Sequence, residues 1–141
     1  MRLALRQVIA ILTIALLPTL ATALWHPRRP AWQSDEVTLA AASAWGQNVL
    51  WVDARSDADF ARAHIPAAFS LNEDCWDQLL PDVLDHWDAS QKIVVYCSSL
   101  SCQASHDVAR RLRGELNLPN VFVLQGGWET WLNANQSPSR K

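Results

Sequence analysis

Ile93-Val94-Val95-Tyr96-Cys97-Ser98-Ser99-Leu100-Ser101-Cys102-Gln103-Ala104-Ser105 is the stretch on which the fold turns. Its first four residues are apolar without a break, which reads as a short strand buried on both faces, since a half-wet strand would alternate. Small polar residues follow Cys97 and read as a loop. From Ser105 the apolar residues Val108, Ala109, Leu112 and Leu116 recur at helical spacing, with Arg110, Arg111 and Arg113 mostly on the other side. Two more apolar runs flank this unit. Val49-Leu50-Trp51-Val52 follows the turn Gly46-Gln47-Asn48 and ends at Asp53, and Val121-Phe122-Val123-Leu124 precedes Gln125-Gly126-Gly127. Helical patterns lie between and around the strands. Thr38 opens one that runs through Trp45, and Ser56 reads as the N-cap of another, with Asp57 and Asp59 in its first turn. From Asp74 to about Trp87 an apolar stripe of Trp76, Leu79, Leu80, Val83, Leu84 and Trp87 holds Pro81, which predicts a kink or two short helices. A last helix starts after Gly127 and contains Trp128, Trp131 and Leu132. Strands alternating with helices imply an α/β domain: a small, mostly parallel sheet with helices on both faces and right-handed crossovers.

The 141 residues suit one domain of about 100–200 residues. Half are hydrophobic and 18% charged, with 4 Gly and 7 Pro, which excludes a disordered tail, a collagen-like repeat and a coiled coil. Net charge is 12 − 14 = −2, and without Arg2 and Arg6 it is 10 − 14 = −4. An acidic body argues against nucleic-acid binding, which leaves a basic footprint. The 8 Trp read as core and rim fillers. Three Cys cannot make a disulfide framework, so any thiol chemistry is local.

Residues 1–25 read as an address. Arg2 and Arg6 precede an uncharged run from Val8 to Trp25, and Pro18 with Ala21-Thr22-Ala23 fits a secretory signal and its cleavage site. The run also approaches the roughly 20 residues that span a bilayer, so a retained transmembrane anchor is the alternative. Either places the body outside the cytoplasm, periplasmic or membrane-anchored, although Arg28 and Arg29 weaken the charge asymmetry. Residues 26–33 are Pro-rich and basic and read as a linker, 34–136 as the domain, and 137–141 as a tail.

In a parallel sheet ligands bind just beyond the carboxyl ends of the strands, and Cys97 is the residue placed there by the central run. Loop and helix N–H groups converging at that point lower a thiol pKa and favour the nucleophilic thiolate. The competing reading makes Cys97 a small hydrophobe that ends a buried strand.

Three motifs favour the first reading. Trp51-Val52-Asp53-Ala54-Arg55-Ser56, with Phe60 and Ala63-His64-Ile65-Pro66-Ala67-Ala68, resembles the opening signature of the rhodanese family, in which a strand ends in Asp-x-Arg and a His-Ile-Pro follows. Val94-Val95-Tyr96-Cys97 is similar to the strand carrying that family's catalytic Cys, and Val121 to Trp128 resembles its final strand and Gly126-Gly127-Trp128 turn. The resemblance runs from about Val37 to Asn135 and implies a sulfurtransferase without cofactor or metal. Cys97 would take a sulfane sulfur from a small donor such as thiosulfate or a persulfide. It would hold the sulfur as a persulfide and pass it to cyanide, a thiol or a protein acceptor. Backbone N–H groups from Ser98 through Cys102 would surround the anion, with hydroxyls from Ser98, Ser99 and Ser101, and Leu100 and Gln103 completing the loop. The same hydroxyls also suit a plain turn. Asp53 and Arg55 read as a framework ion pair and His64 as a hydrogen-bonding brace.

The chain departs from the family pattern in the loop. Leu100 stands where active members often have Gly, and no Arg or Lys lies between Cys97 and Arg110. The loop is also about two residues longer than the usual sulfurtransferase loop, as in related phosphatases and arsenate reductases. The Arg that marks those enzymes is absent, since Gln103 holds the sixth position after Cys97. Cys102 could resolve a persulfide, form a regulatory disulfide with Cys97, or pack at the helix start. Cys97, Cys102 and His106, with Cys75, have ligand-like spacing for zinc, but zinc sites favour tighter Cys pairs on turns. Cys75 alone reads as a bystander. A silent rhodanese module that binds a partner, and a dithiol redox protein using Cys97 and Cys102, remain the alternatives to sulfur transfer.

Overall fold

The computed structural model of the chain describes residues 35–99 and 103–136. The export signal or anchor (1–25), the linker (26–33), the tail (137–141) and the loop residues Leu100, Ser101 and Cys102 lie outside the described residues. None of the described helices is long and apolar enough to cross a membrane.

Five strands form one sheet: β1 (Glu36–Val37), β2 (Val49–Asp53), β3 (Phe69–Ser70), β4 (Lys92–Tyr96) and β5 (Val121–Leu124). Their order is β1-β5-β4-β2-β3 and every pairing is parallel. The three apolar runs are therefore the three inner strands, as continuous hydrophobicity requires of strands covered on both sides. Side chains alternate between two cores. Ile93 and Val95 of β4 face one, with Leu50, Val52, Val121 and Val123, while Val94 and Tyr96 face the other with Val37 and Leu124.

Among the described residues five α-helices cover the sheet: α1 (Leu39–Ala44), α2 (Asp57–Arg62), α3 (Trp76–His86), α4 (Ala104–Gly114) and α5 (Gly127–Gln136). Trp76 and Val83 from α3, and Val108, Ala109 and Leu112 from α4, close the first core. The second is closed by Ala42 of α1 and by Phe60, Trp128 and Trp131 of α2 and α5. Both expected caps form: Thr38 Oγ1 and Ser56 Oγ each accept from the backbone N–H three residues on, at 3.3 Å. Trp residues occupy the rim as expected, with Trp76 buried and Trp45, Trp51, Trp87, Trp128 and Trp131 half-buried.

One expectation needs correcting in part. Pro81 does not divide the third helical stretch, which is one helix from Trp76 to His86 with Pro81 inside it. Pro81 removes the N–H that would bond Asp77, but both residues are exposed, so water satisfies the freed carbonyl. The edge strands β1 and β3 have two residues each, too few to show a period in the sequence.

Candidate active site

Parallel register brings the carboxyl ends of three strands to one edge. Asp53 pairs with Tyr96, and Val95 with Val123, so the segments after β2, β4 and β5 leave the sheet side by side. Cys97 is the first residue past β4 and is 4% exposed. It is disulfide-bonded in this structure, and Cys75 is the free cysteine among the described residues. Ser98 beside it is exposed and Ser99 half-buried.

Asp53 and Arg55 form the expected ion pair, deep in the structure. Asp53 is 0% and Arg55 7% exposed. The guanidinium forks onto the carboxylate, Nη2 to Oδ2 at 2.6 Å and Nε to Oδ1 at 3.0 Å, and Nη2 also donates to Ala63 O at 2.6 Å. Burial pulls the Arg55 pKa down, but the hydrogen bonds and charge of Asp53 outweigh it and hold the guanidinium above its ordinary value. Two aromatic rings lie against it, Trp128 with its centroid at 4.6 Å and Tyr96 at 5.6 Å. Tyr96 itself is buried, which pushes its phenol up, and its oxygen accepts the Ile65 N–H at 3.1 Å. The pair thus ties the ends of β2 and β4 to the turn after β5.

That turn is the third part of the site. Gly126 and Gly127 are buried with φ of 74° and 54°, a region that suits glycine. They aim the first N–H groups of α5 at the segment carrying Cys97. Trp128 N–H donates to Cys97 O at 2.7 Å, and Glu129 N–H to Ser98 O at 3.2 Å. Helix-start donors without an intrahelical partner thereby fasten two carbonyls of the loop. The sequence marks the glycines as a motif, but no spacing rule tells that they close on Cys97; that contact joins residues from different strands.

The remaining candidates stand apart from this arrangement. His64 is exposed, stacks on Phe60 at 4.1 Å and donates Nδ1–H to Phe60 O at 2.9 Å, because a carbonyl can only accept. Gln103 is exposed and bonds Asp107 at 3.4 Å. His106 faces Glu36 on β1 at 3.7 Å, and no cluster able to hold a metal occurs among the described residues. Cys75 starts α3 with Sγ 3.7 Å from Asp57 Oδ2; desolvation and then the Asp57 charge push its thiol up, so it is a poor nucleophile at neutral pH.

Solved structures share the fold. A Bacillus halodurans protein matches with a TM-score of 0.59 and 24% identity, over 71% of this chain and 72% of its own. A rhodanese-related protein from Thermoplasma volcanium matches at 0.54 and 14%, over 70% and 91%. A rhodanese-like domain protein from Staphylococcus aureus matches at 0.52 and 23%, over 68% and 89%. No curated protein matches the sequence. At the level of the sequence itself, residues 36–134 match the rhodanese-like domain, and on that match over most of its length the chain belongs to the rhodanese-like domain family.

Proposed function

We propose that the protein is a sulfurtransferase that carries sulfane sulfur on Cys97. The observation that supports this most is the position of Cys97, directly past the central strand β4 at the carboxyl edge of a parallel sheet. In the first step the Cys97 thiolate attacks the outer sulfur of thiosulfate or a similar donor. A new S–S bond forms, the donor's S–S bond breaks, and sulfite leaves with the electron pair. In the second step a nucleophile such as cyanide or a thiolate takes the outer sulfur, and the pair in the Cys97 S–S bond returns to Cys97 as thiolate. Neither step needs a separate general base once the thiolate exists. No Arg or Lys lies between Cys97 and Arg110, and Arg55 is committed to Asp53 and Ala63, so donor binding rests on N–H groups and hydroxyls of residues 98–102. With the N-terminal segment acting as export signal or anchor, the reaction takes place outside the cytoplasm.

A second reading is favoured by one observation: Cys97 is disulfide-bonded. In it, Cys97 and Cys102 cycle between dithiol and disulfide, two electrons passing to or from a thiol partner. Under either reading the disulfide must first be opened by a dithiol reductant. The test is to reduce the full chain, remove the reductant, add thiosulfate and weigh the protein and its peptides. Sulfur transfer predicts a gain of one sulfur atom on the Cys97 peptide and none in Cys97→Ser. No gain on a fully reduced Cys97 overturns it and leaves the redox or partner-binding module.

A further inference from the structure

We propose that Gly127 is a positioning residue for Cys97, holding the nucleophile's backbone in register through direct contact rather than only shaping a turn. The inference deepens the sulfur-transfer reading and rests on it for the role of Cys97. A Cβ added to Gly127 would lie 2.2 Å from Cys97 O and 3.0 Å from Cys97 C. Real Cβ contacts essentially never fall below 3.0 Å, so one backbone must retreat by at least 3.0 − 2.2 = 0.8 Å. Both sides of the contact are main chain, and no side-chain rotation can absorb the overlap. The same approach lets Trp128 N–H reach Cys97 O at 2.7 Å and Glu129 N–H reach Ser98 O at 3.2 Å. The residue after Gly127 is itself held by the Arg55 guanidinium, which lies over the Trp128 ring at 4.6 Å. A reacting group must be held within about 0.5 Å of its working geometry, and a 1 Å error can cost on the order of 10²-fold. The displacement forced on Gly127→Ala exceeds that tolerance.

Gly46 supplies the control. Its φ is +59° against +54° for Gly127, yet a Cβ there meets nothing within 4 Å. Gly46→Ala and Gly127→Ala therefore share the cost of a left-handed alanine, and only the second forces the turn and the Cys97 carbonyl apart.

The experiment uses the full chain with Cys75→Ser and Cys102→Ser, so that Cys97 is the sole thiol, and measures its iodoacetamide alkylation rate against pH. The expected result is a rate at neutral pH about tenfold lower in Gly127→Ala, with the midpoint moved up by about one unit, while Gly46→Ala tracks the parent. Equal profiles in folded Gly127→Ala and Gly46→Ala overturn the proposal. Should Gly127→Ala lose its circular-dichroism signal, an amide-to-ester replacement at Trp128 decides, because it removes the N–H that bonds Cys97 O without adding an atom against that oxygen. A slower Cys97 in the ester variant supports the clamp, and a rate equal to the parent overturns it. Thiocyanate formation by the parent reads the sulfur-transfer step separately. A parent without turnover whose Cys97 still slows in Gly127→Ala loses that reading and keeps this one.

Discussion

Arg55 joins the end of β2 to three other parts of the site. Its side chain is 6% exposed, and its guanidinium joins Asp53, the Ala63 carbonyl and two aromatic rings. Removing it leaves the Asp53 carboxylate buried without its partner, and breaking such a pair costs about 3–5 kcal/mol. Arg55→Ala should lower the unfolding free energy by that amount in urea titrations, and Arg55→Lys should recover only part, because an ammonium cannot fork onto the carboxylate. A cost near zero would mean the pair is not what holds the strand ends together. The Asp-x-Arg spacing made this pair readable, since two residues at a strand end lie within reach of each other. Tyr96 under the guanidinium was not readable in that role. Nothing local separates a tyrosine that fills a core from one whose oxygen receives the Ile65 N–H from 31 residues away.

Elements follow periodicity where they are long enough to show it. The inner strands and α4 stand where apolar runs and stripes place them, and Leu112 of α4 is fully buried in the core between that helix and the sheet. Leu112→Ala should cost about 2–5 kcal/mol, seen as a lower urea midpoint with an unchanged slope. A cost under 0.5 kcal/mol would place Leu112 on the surface and refute the packing. The edge strands escaped notice for a physical reason: two residues define no period, and β1 and β3 form because β5 and β2 offer them hydrogen-bonding partners. Of a kink or two short helices at Pro81 the structure excludes the second, because Asp77 and Pro81 are exposed and water takes the freed carbonyl. The Gly-Gly-Trp turn shows both limits together. Its glycines announce left-handed backbone, but their use, closing on Cys97, depends on which strands are neighbours.

At the scale of the molecule, an all-parallel sheet places every strand's carboxyl end on one edge, and that edge collects the Asp53–Arg55 pair, Cys97 and the turn that bonds its carbonyl. The body is acidic, and among the described residues the ion pairs other than Asp53–Arg55 are surface pairs that contribute little to stability. What distinguishes this chain is that edge and the place of Cys97 on it. The deciding measurement is the initial rate of thiocyanate formation from thiosulfate and cyanide by the reduced full chain, beside Cys97→Ser and Cys102→Ser. Sulfur transfer through Cys97 predicts turnover in the native chain, the uncatalysed background in Cys97→Ser, and retained turnover in Cys102→Ser. A fully reduced native chain at background, or a Cys97→Ser variant as fast as the native chain, would contradict it.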